Sequence, residues 1–285
     1  RWCKEWQFRI GVHYLRSQIS AISAGSQYAE LAEITLSIIW KEVLYEFAKK
    51  FGPEPGNGAA VISMGSLGSG VLHANSDLDL IIIYDADGND QSEGDRSLSA
   101  RQYYSRLTKA FITAISAPMT EGRLYEIDMR LRPSGFQGPV ATSWNSYQNY
   151  QKNEAWVWEH LALTRARAVA GQASLLKDFE SFRSSLLKSY DRKNVFNELI
   201  NMRARIFQAK SLNPWDAKIG PGRLQDIDLL SQAGCLVNRS VSRSTAAGLE
   251  ALFSGKFISQ QEFFEIKAAA TLLWSWQIGL NILFK

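Results

Sequence analysis

The first fifty or so residues have the hydrophobic spacing of helices. From residue 2 to residue 51, apolar residues recur at intervals of three and four, and charged residues stand between them. The apolar residues predicted to share one side of a helix are Leu31, Ile34, Ile38 and Phe47. The sequence Gly-Pro-Glu-Pro-Gly-Asn-Gly at 52–58 ends this pattern and marks a boundary.

The next segment has the spacing of β-strands. Residues 59–64 form a short β-type run, and residues 78–84 are almost continuously apolar and β-branched, which is typical of a strand buried on both faces. A Gly- and Ser-rich turn at 65–70 lies between them. Residues 101–115 predict a helix, and residues 122–131 alternate well enough to predict another strand.

Beyond residue 140 the pattern is helical. Thr142 or Ser143 can cap a long helix that runs towards Val169. Further helices are predicted at 174–189, 191–210, 223–238 and 260–284. No further strand is expected in this part of the sequence.

Length and composition agree with two modest domains. The 285 residues are 46% hydrophobic and 21% charged, which are ordinary values for globular proteins. We predict an α+β fold, with a small sheet at about 56–135 preceded by helices and followed by a helical bundle. The predicted domains are residues 1–139, which hold the sheet, and residues 140–285, which are helical.

Charge and cysteine content narrow the class of protein. The net charge of +4 is too small to indicate a partner nucleic acid. Cys3 and Cys235 lie far apart without metal-binding spacing, so they predict free thiols in a reducing cytoplasm.

Residues 268–284 carry no charge, but they are few and include polar residues, which favours a buried terminal helix over a membrane span. A start at Arg1 without a signal sequence predicts a segment of a longer polypeptide.

Two carboxylates lie side by side where the second strand begins. Asp77 and Asp79 are two residues apart, so their side chains project to the same face of a strand. Such carboxylates repel each other, and both stay ionised only when cations neutralise them. Mg²⁺ is the natural candidate, because it takes oxygen ligands from one or two carboxylates together with substrate phosphates. Gly65 and Ser66, at the end of the preceding strand, are predicted to bind phosphate through backbone N–H groups.

A third acid is predicted to complete this group. In the strand predicted at 122–131, Asp128 shares a face with Arg130 and Arg132. If that strand lies beside the strand of the first two acids, three carboxylates surround one or two metal ions. Such a site suits attack on a nucleoside triphosphate, with pyrophosphate as the leaving group. The sequence leaves two roles open for the two arginines: they could bind phosphate, or they could only form salt bridges with the acids.

These motifs resemble the nucleotidyltransferase superfamily that includes DNA polymerase beta. Over residues 64–171 the sequence is more specifically similar to the glutamine synthetase adenylyltransferase family. The segments that carry the resemblance are Met-Gly-Ser-Leu-Gly at 64–68, Ser-Asp-Leu-Asp-Leu-Ile at 76–81, Arg-Leu-Arg-Pro-Ser-Gly at 130–135, Glu-Ala-Trp-Val-Trp-Glu-His at 154–160 and Thr-Arg-Ala-Arg at 164–167. A weaker similarity at 218–232 extends the match into the helical region.

The resemblance implies a fold, an activity and partners. It implies a nucleotidyltransferase-type small mixed sheet and the cytoplasmic transfer of AMP from ATP to a tyrosine of glutamine synthetase, with two Mg²⁺ ions. The PII signalling protein is implied to act on the full-length enzyme, which has two related catalytic halves around a regulatory region. The implied metal-binding and catalytic residues are Asp77, Asp79 and Asp128. The residues implied to bind the phosphates of ATP are Gly65, Ser66, Arg130, Arg132 and Lys218.

Departures from the family pattern keep alternatives open. Ser66 stands where the family usually has Lys, and Arg223 replaces a Gly of the later motif. Two interpretations of Asp226 and Asp228 therefore remain: they are functional residues, or they are acids that stabilise the start of a helix. The motifs are closer to the adenylylating half, but the half that phosphorolyses adenylyl-tyrosine and a silent nucleotide-sensing module remain alternatives.

Overall fold

The computed structural model describes residues 1–89, 91–191, 194–209, 213 and 215–283. The helices in these ranges are α1 (Trp2–Leu15), α2 (Ala21–Phe51), α3 (Gly65–Ser69), α4 (Ala100–Ser116), α5 (Trp144–Asn153), α6 (Val157–Leu163), α7 (Ala173–Lys188), α8 (Val195–Ala209), α9 (Leu224–Val237), α10 (Thr245–Ser254) and α11 (Gln260–Leu283). The strands are β1 (Gly58–Ser63), β2 (Leu78–Asp85), β3 (Ile127–Asp128), β4 (Thr142–Ser143) and β5 (Arg167–Gly171). The predicted α+β class and small mixed sheet are confirmed.

The sheet is built around an antiparallel pair of long strands. Strand β1 pairs with β2 from Gly58 opposite Asp85 to Ser63 opposite Leu80. Strand β5 adds to the other edge of β1 in antiparallel orientation. The two-residue strands β3 and β4 both pair with β2 in parallel, β3 at its start and β4 near its end. The order is therefore β3-β2-β1-β5, with β4 also on β2.

Both faces of the two long strands are covered by helices, which explains their continuous apolar sequence. On one face, Val61 and Ile82 belong to a core that also contains Trp40 of α2 and Phe111 of α4. On the other face, the alternate residues of the same strands join a core with α5, α6 and α7. That second core contains Ala60, Ile62, Ile81, Ile83, Tyr147, Leu163 and Phe179. The sheet is thus the middle layer of three.

The C-terminal helices have a core of their own. Helices α6, α8, α9, α10 and α11 bury a separate apolar cluster. Its members include Leu161, Leu199, Leu236, Leu249, Leu252 and Phe263. Helix α11 also reaches the first core through Ile278, which is fully buried. The sheet extends beyond its predicted range of about 56–135, because it also includes β4 and β5. The division into domains at residues 139 and 140 remains a proposal.

The prediction of one long helix from residue 143 towards Val169 is wrong. Ser143 does cap a helix, because its hydroxyl accepts a hydrogen bond from the Ser146 N–H, but α5 ends at Asn153. The chain is extended at Trp156, whose N–H donates to the carboxylate of Glu159, and α6 starts there. Strand β5 then follows where a helix was expected.

The length of the strand predicted at 122–131 is also wrong. In the strand predicted at 122–131, only Ile127–Asp128 pair with β2. The carboxylate of Asp128 accepts a hydrogen bond from the backbone N–H of Arg130, which turns the chain and ends the strand. In α2, Ile34 and Ile38 are about half exposed, whereas Leu31, predicted on the same side of the helix, is buried.

The last helix is less buried than its sequence suggests. Of the described residues of α11, only Phe263 and Ile278 are buried, and Leu272 and Trp276 are exposed. The predicted end of this helix at residue 284 lies outside the described residues. In the described parts of the chain, none of the helices combines the length and the apolar composition needed to cross a membrane.

Candidate active site

The candidate site begins where β1 passes into α3. The Met64 N–H donates a hydrogen bond to the carbonyl oxygen of Asp79, so the two strands stay in register up to the turn. Gly65 has a positive φ of 53°. A Cβ atom at this position would lie 2.3 Å from Oδ2 of Asp79. The turn therefore requires glycine on two grounds, backbone conformation and contact with the carboxylate.

Two of the three predicted acids are direct partners across the sheet. Asp79 of β2 stands opposite Asp128 of β3 in the parallel pairing, and the Leu78 N–H donates to the carbonyl oxygen of Glu126. Asp77 immediately precedes β2 and is exposed. The structure thus brings β2 and β3 together as the sequence predicted, although β3 is short.

The charges around Asp79 identify its neighbours. Burial raises the pKa of Asp79 to about 6, and the charges of Asp128 and Asp77 raise it as well, whereas Lys218 and Arg130 lower it. Since the charge of Arg132 also acts on Asp128, six of the eight residues predicted for the site belong to one set of interacting charges. Lys218 is 139 positions beyond Asp79 in the sequence, so only the fold brings it there.

The two predicted arginines have different positions. Arg130 is exposed, and its Nε donates to Oδ2 of Asp128 at 2.6 Å. Burial raises the pKa of Asp128, but its hydrogen bonds with Arg130 and the positive charge nearby outweigh this and hold the pKa below its usual value. Arg132 is buried instead, and its guanidinium donates to the carbonyl oxygens of Met129, Phe136 and Gly138.

A cavity lies beside Ser66 and Lys218. It has a volume of about 220 Å³ and is bounded by α3 on one side and by α9, α10 and α11 on the other. Residues on its wall include Ser66, His73, Arg165, Lys218, Thr245 and Trp274. Burial and the charge of Lys218 lower the pKa of His73 to about 4, so this imidazole is neutral near pH 7. We call this space the Lys218 cavity.

The acids have the chemistry of a magnesium site, but they are not grouped as ligands. Asp79 is half-buried and is repelled by two neighbouring carboxylates, so a divalent cation would relieve an excess of negative charge. Carboxylate oxygens are also the ligands that Mg²⁺ prefers. Among the described residues, however, no three His, Cys, Asp or Glu side chains are already arranged to hold a metal ion. A cation would have to compete with Arg130 for Asp128.

Sequence reasoning missed the network behind the site. Arg165 is buried, and its guanidinium donates to Asp228 of α9 at 2.6 Å and to the hydroxyl of Thr245 at 2.9 Å. The carbonyl oxygen of Arg165 would lie 2.2 Å from a Cβ atom at Gly68, which fixes α3 against this network. Arg165 belongs to the Thr-Arg-Ala-Arg segment at 164–167 that carries the resemblance, but its partners in α9 and α10 were not predicted.

The roles of the two later acids are now distinct. Asp226 lies in the first turn of α9, where its carboxylate accepts from the Gly222 N–H and pairs with Arg203. This is the structural interpretation, an acid at the start of a helix. Asp228 instead faces the Lys218 cavity and pairs with Arg165.

Comparison with known proteins gives a consistent match. The family model described as "Glutamate-ammonia ligase adenylyltransferase" matches residues 2–182. Curated proteins named "Bifunctional glutamine synthetase adenylyltransferase/adenylyl-removing enzyme" are similar over most of the chain. The one from Mesorhizobium japonicum is 40% identical over 253 residues, which is 88% of this chain and 26% of that protein. The one from Agrobacterium fabrum is 40% identical over 94% of this chain and 28% of that protein. The chain thus spans about a quarter of the length of these relatives.

Proposed function

The chain belongs to the glutamate-ammonia ligase adenylyltransferase family, and we propose that it transfers AMP from ATP to a tyrosine of glutamine synthetase. Pyrophosphate is the second product. One observation carries the proposal: the charges of Asp77 and Asp128 act against that of Asp79 where β2 pairs with β3. The positive charges of Lys218 and Arg130 act on the same carboxylate. This arrangement also supports a nucleotidyltransferase-type fold.

In the proposed reaction the tyrosine oxygen forms a bond to the α-phosphorus of ATP, and the bond between the α-phosphorus and the bridging oxygen to the β-phosphorus breaks. Asp128 takes the hydroxyl proton, directly or through water. Gly65 and Ser66 hold the outer phosphates through backbone N–H groups, and Lys218 binds a phosphate oxygen. Asp77, Asp79 and Asp128 would hold Mg²⁺, which would supply positive charge against the triphosphate.

The two arginines take different parts in this proposal. Arg130 is exposed and can exchange Asp128 for a phosphate oxygen, so it is the better candidate to stabilise charge on the leaving group. Arg132 was predicted for the same role. All the hydrogen bonds that its guanidinium makes to described residues go to carbonyl oxygens of the segment after β3, which supports a role in holding that segment.

The relatives' name also covers removal of the adenylyl group, which makes the reverse-acting half the second candidate. That reaction uses inorganic phosphate to release ADP from adenylyl-tyrosine at the same acids. The sequence Arg-Pro-Ser-Gly at 132–135 favours the adenylylating half, by its resemblance to that half. Glutamine synthetase and ATP place the proposed reaction in the cytoplasm, and PII is proposed to act on the longer protein.

The test replaces one acid without changing its shape. Asp79→Asn or Asp77→Asn is expected to lower AMP transfer by about a thousandfold or more, because the metal ion that would neutralise the phosphates loses a carboxylate ligand. Asp95→Asn, in an exposed loop, is the matched control and should keep full activity. Mass spectrometry of glutamine synthetase after incubation with the chain, ATP and Mg²⁺ measures the product.

The outcomes separate the candidates. Removal of AMP from adenylylated glutamine synthetase in the presence of phosphate, without the forward reaction, would assign the chain to the reverse-acting half. ATP binding without turnover in either direction would favour the silent sensing module. A variant at Asp79 that folds and keeps wild-type transfer would refute the metal assignment.

A further inference from the structure

A groove separate from the Lys218 cavity reaches the acids of the candidate site. It has a volume of about 1080 Å³ and is bounded by α1, by the end of α11 and by the segments that precede β2 and β3. Asp77 lines it just before β2 begins. None of the described residues lines both this groove and the Lys218 cavity. We call this space the Asp77 groove.

Hydrogen bonds hold one side of the Asp77 groove in place. The hydroxyl of Tyr28 in α2 donates to the carbonyl oxygen of Gln7 in α1 at 3.2 Å. The side-chain amide of Asn75 donates to the carbonyl oxygen of Asn281 at 3.0 Å, which attaches the loop before β2 to α11. This side of the groove is therefore formed before any partner binds.

The other side of the groove leads to the proposed proton acceptor. Arg123 and Glu126 line the groove and form an ion pair at 2.7 Å. The carbonyl oxygen of Glu126 accepts a hydrogen bond from the Leu78 N–H, and Asp128 follows two residues later. A hydroxyl group that arrives along this groove therefore meets the acids where β2 pairs with β3.

One face of α1 adds apolar side chains to the groove. Lys4, Phe8 and Leu15 all line the groove, and their spacing of four and seven positions puts them on one face of the helix. Phe8 is 72% exposed, and Leu15 and Leu283 are exposed as well. Large apolar side chains that are grouped on an exposed surface are typical of a site that binds another protein.

The proposed reaction limits the side from which the tyrosine can approach. The attacking and leaving oxygens lie roughly in line on opposite sides of the phosphorus. In that reaction the outer phosphates lie at Ser66 and Lys218, and both residues line the Lys218 cavity. The attacking oxygen must therefore enter from the side away from that cavity. The Asp77 groove meets the acids at Asp77 and has a wall of its own, so it is open to this approach.

We propose that the Asp77 groove docks the segment of glutamine synthetase that carries the modified tyrosine. The inference rests on the proposed function, because it takes the acids as the place of AMP transfer. Apolar side chains that flank the tyrosine pack against Phe8 and Leu15, and the tyrosine itself reaches past Asp77. The groove volume of about 1080 Å³ lies above the roughly 300–1,000 Å³ of sites for small molecules, which suits a polypeptide segment.

The test removes an apolar side chain from the groove without adding a charge. Phe8→Gln changes a largely exposed side chain to one that helices accept well, and Leu15→Gln is a second variant on the same face. Phe264→Gln is the matched control, because Phe264 is 57% exposed in α11 and is absent from the groove wall. Urea unfolding checks that each variant folds like wild type.

Steady-state kinetics of the full chain, with glutamine synthetase and ATP varied in turn, measures the two KM values. Phe8→Gln is expected to raise the KM for glutamine synthetase by about tenfold, with Leu15→Gln acting in the same direction, since truncated apolar anchors weaken docking. The KM for ATP should stay unchanged in both. Phe264→Gln should change neither value. An unchanged KM for glutamine synthetase in Phe8→Gln and Leu15→Gln would overturn the proposal. So would a higher KM for ATP alone, which would assign the groove to the nucleotide.

A binding measurement without ATP distinguishes this proposal from the proposed function. Surface plasmon resonance gives the Kd of each variant for unmodified glutamine synthetase. If the wild-type chain transfers no AMP but Phe8→Gln weakens this binding and Phe264→Gln does not, the function is wrong and the docking groove stands. If Phe8→Gln transfers AMP with the wild-type KM for glutamine synthetase, the groove assignment is wrong and the function stands.

Discussion

Gly65 lets the chain turn out of β1 directly beneath the carboxylate of Asp79. A side chain here would need both a left-handed backbone and the space that Oδ2 of Asp79 occupies. The glycine thus positions Asp79, the acid of the site whose pKa is shifted most. Gly122 provides a contrast, because its φ is also positive, at 83°, but nothing lies within 4 Å of the position of its Cβ.

We predict that Gly65→Ala lowers kcat/KM for AMP transfer by about a hundredfold, because the added methyl group displaces the Asp79 carboxylate. Gly122→Ala should keep wild-type activity. Both variants should lose about 1 kcal/mol of stability from the backbone conformation. Steady-state kinetics and urea unfolding of the two variants check this, and equal activity in both would contradict the positioning role of Gly65.

A second residue with a perturbed charge lies outside the candidate site. Burial raises the pKa of Glu54 to about 7, even though hydrogen bonds from the Ala59 N–H and the Gln172 side chain lower it. Between the unfolded value near 4.5 and the folded value near 7, the folded chain holds a proton that the unfolded chain has released. The free energy of unfolding therefore falls as the pH rises through this range.

We predict that Glu54→Gln stabilises the chain at pH 8 by about 1–3 kcal/mol and has little effect at pH 4.5. The neutral amide removes the cost of a buried charge at high pH. Urea unfolding at the two pH values measures the difference. Glu121→Gln, at an exposed acid, controls for the general loss of a negative charge. A Glu54→Gln variant that is no more stable than wild type at pH 8 would show that the buried carboxylate is not destabilising.

The parts of the site that could be predicted are those that share a strand or a turn. Gly65, Ser66, Asp77 and Asp79 follow from strand ends and from the two-residue period of a strand. The pairing of β3 with β2 was inferred from an inward-facing acid at Asp128. The hydrogen bonds of Arg165 to α9 and α10 could not be inferred in this way. Their partners lie 63 and 80 positions further along the chain, and no local pattern connects residues so far apart.

At the scale of elements, the strands that the sequence did not predict are the short ones. The long strands β1 and β2 were predicted because their apolar runs are buried on both faces. Strand β5, with the sequence Arg-Ala-Val-Ala-Gly, carries no strong strand signal and exists because β1 offers an unpaired edge. Segments of two residues, such as β4, lie below what a sequence pattern can define.

One buried side chain joins α7 to the end of α6 and to the loop before α10. Arg183 of α7 is 1% exposed, and its Nε donates to the carbonyl oxygen of Leu163 at the end of α6. The same guanidinium donates to the carbonyl oxygens of Thr164 and Val241. Burial lowers the pKa of Arg183 to about 10, so the group remains charged near pH 7. It therefore connects α7 to the loop before α10.

We predict that Arg183→Met destabilises the chain by about 2–4 kcal/mol, because three carbonyl oxygens, two of them in buried contacts, lose a donor. Arg183→Lys should recover only part of this, since one ammonium group cannot reproduce the planar fork. Lys177→Met, at an exposed position of the same helix, is the control and should change stability by less than about 0.5 kcal/mol. Urea unfolding measures all three, and a variant Arg183→Met as stable as the control would exclude this bridging role.

At the scale of the whole molecule, the sheet and the C-terminal helices have separate cores that meet at the candidate site. The Arg165–Asp228 pair crosses this junction, and the Thr245 hydroxyl bonds to both partners. The side chain of Arg165 is only 5% exposed, whereas that of Asp228 is 32% exposed. Both residues line the Lys218 cavity, so the same contact that joins the two cores also forms part of the wall of that cavity.

A double-mutant cycle can measure how strongly this pair joins the two cores. For Arg165→Met and Asp228→Asn we predict a coupling energy of about 1–3 kcal/mol, because one partner is desolvated and each loses its charged hydrogen bond. Arg203 and Asp226 provide the matched control: the acid lies two residues earlier in α9, but the arginine is 48% exposed. Their cycle should give a coupling of about 0–1 kcal/mol. Urea unfolding of the four proteins in each cycle gives the values. Equal coupling in the two cycles would mean that the buried pair adds nothing to the junction, and that the two cores are joined by α11 and its apolar contacts instead.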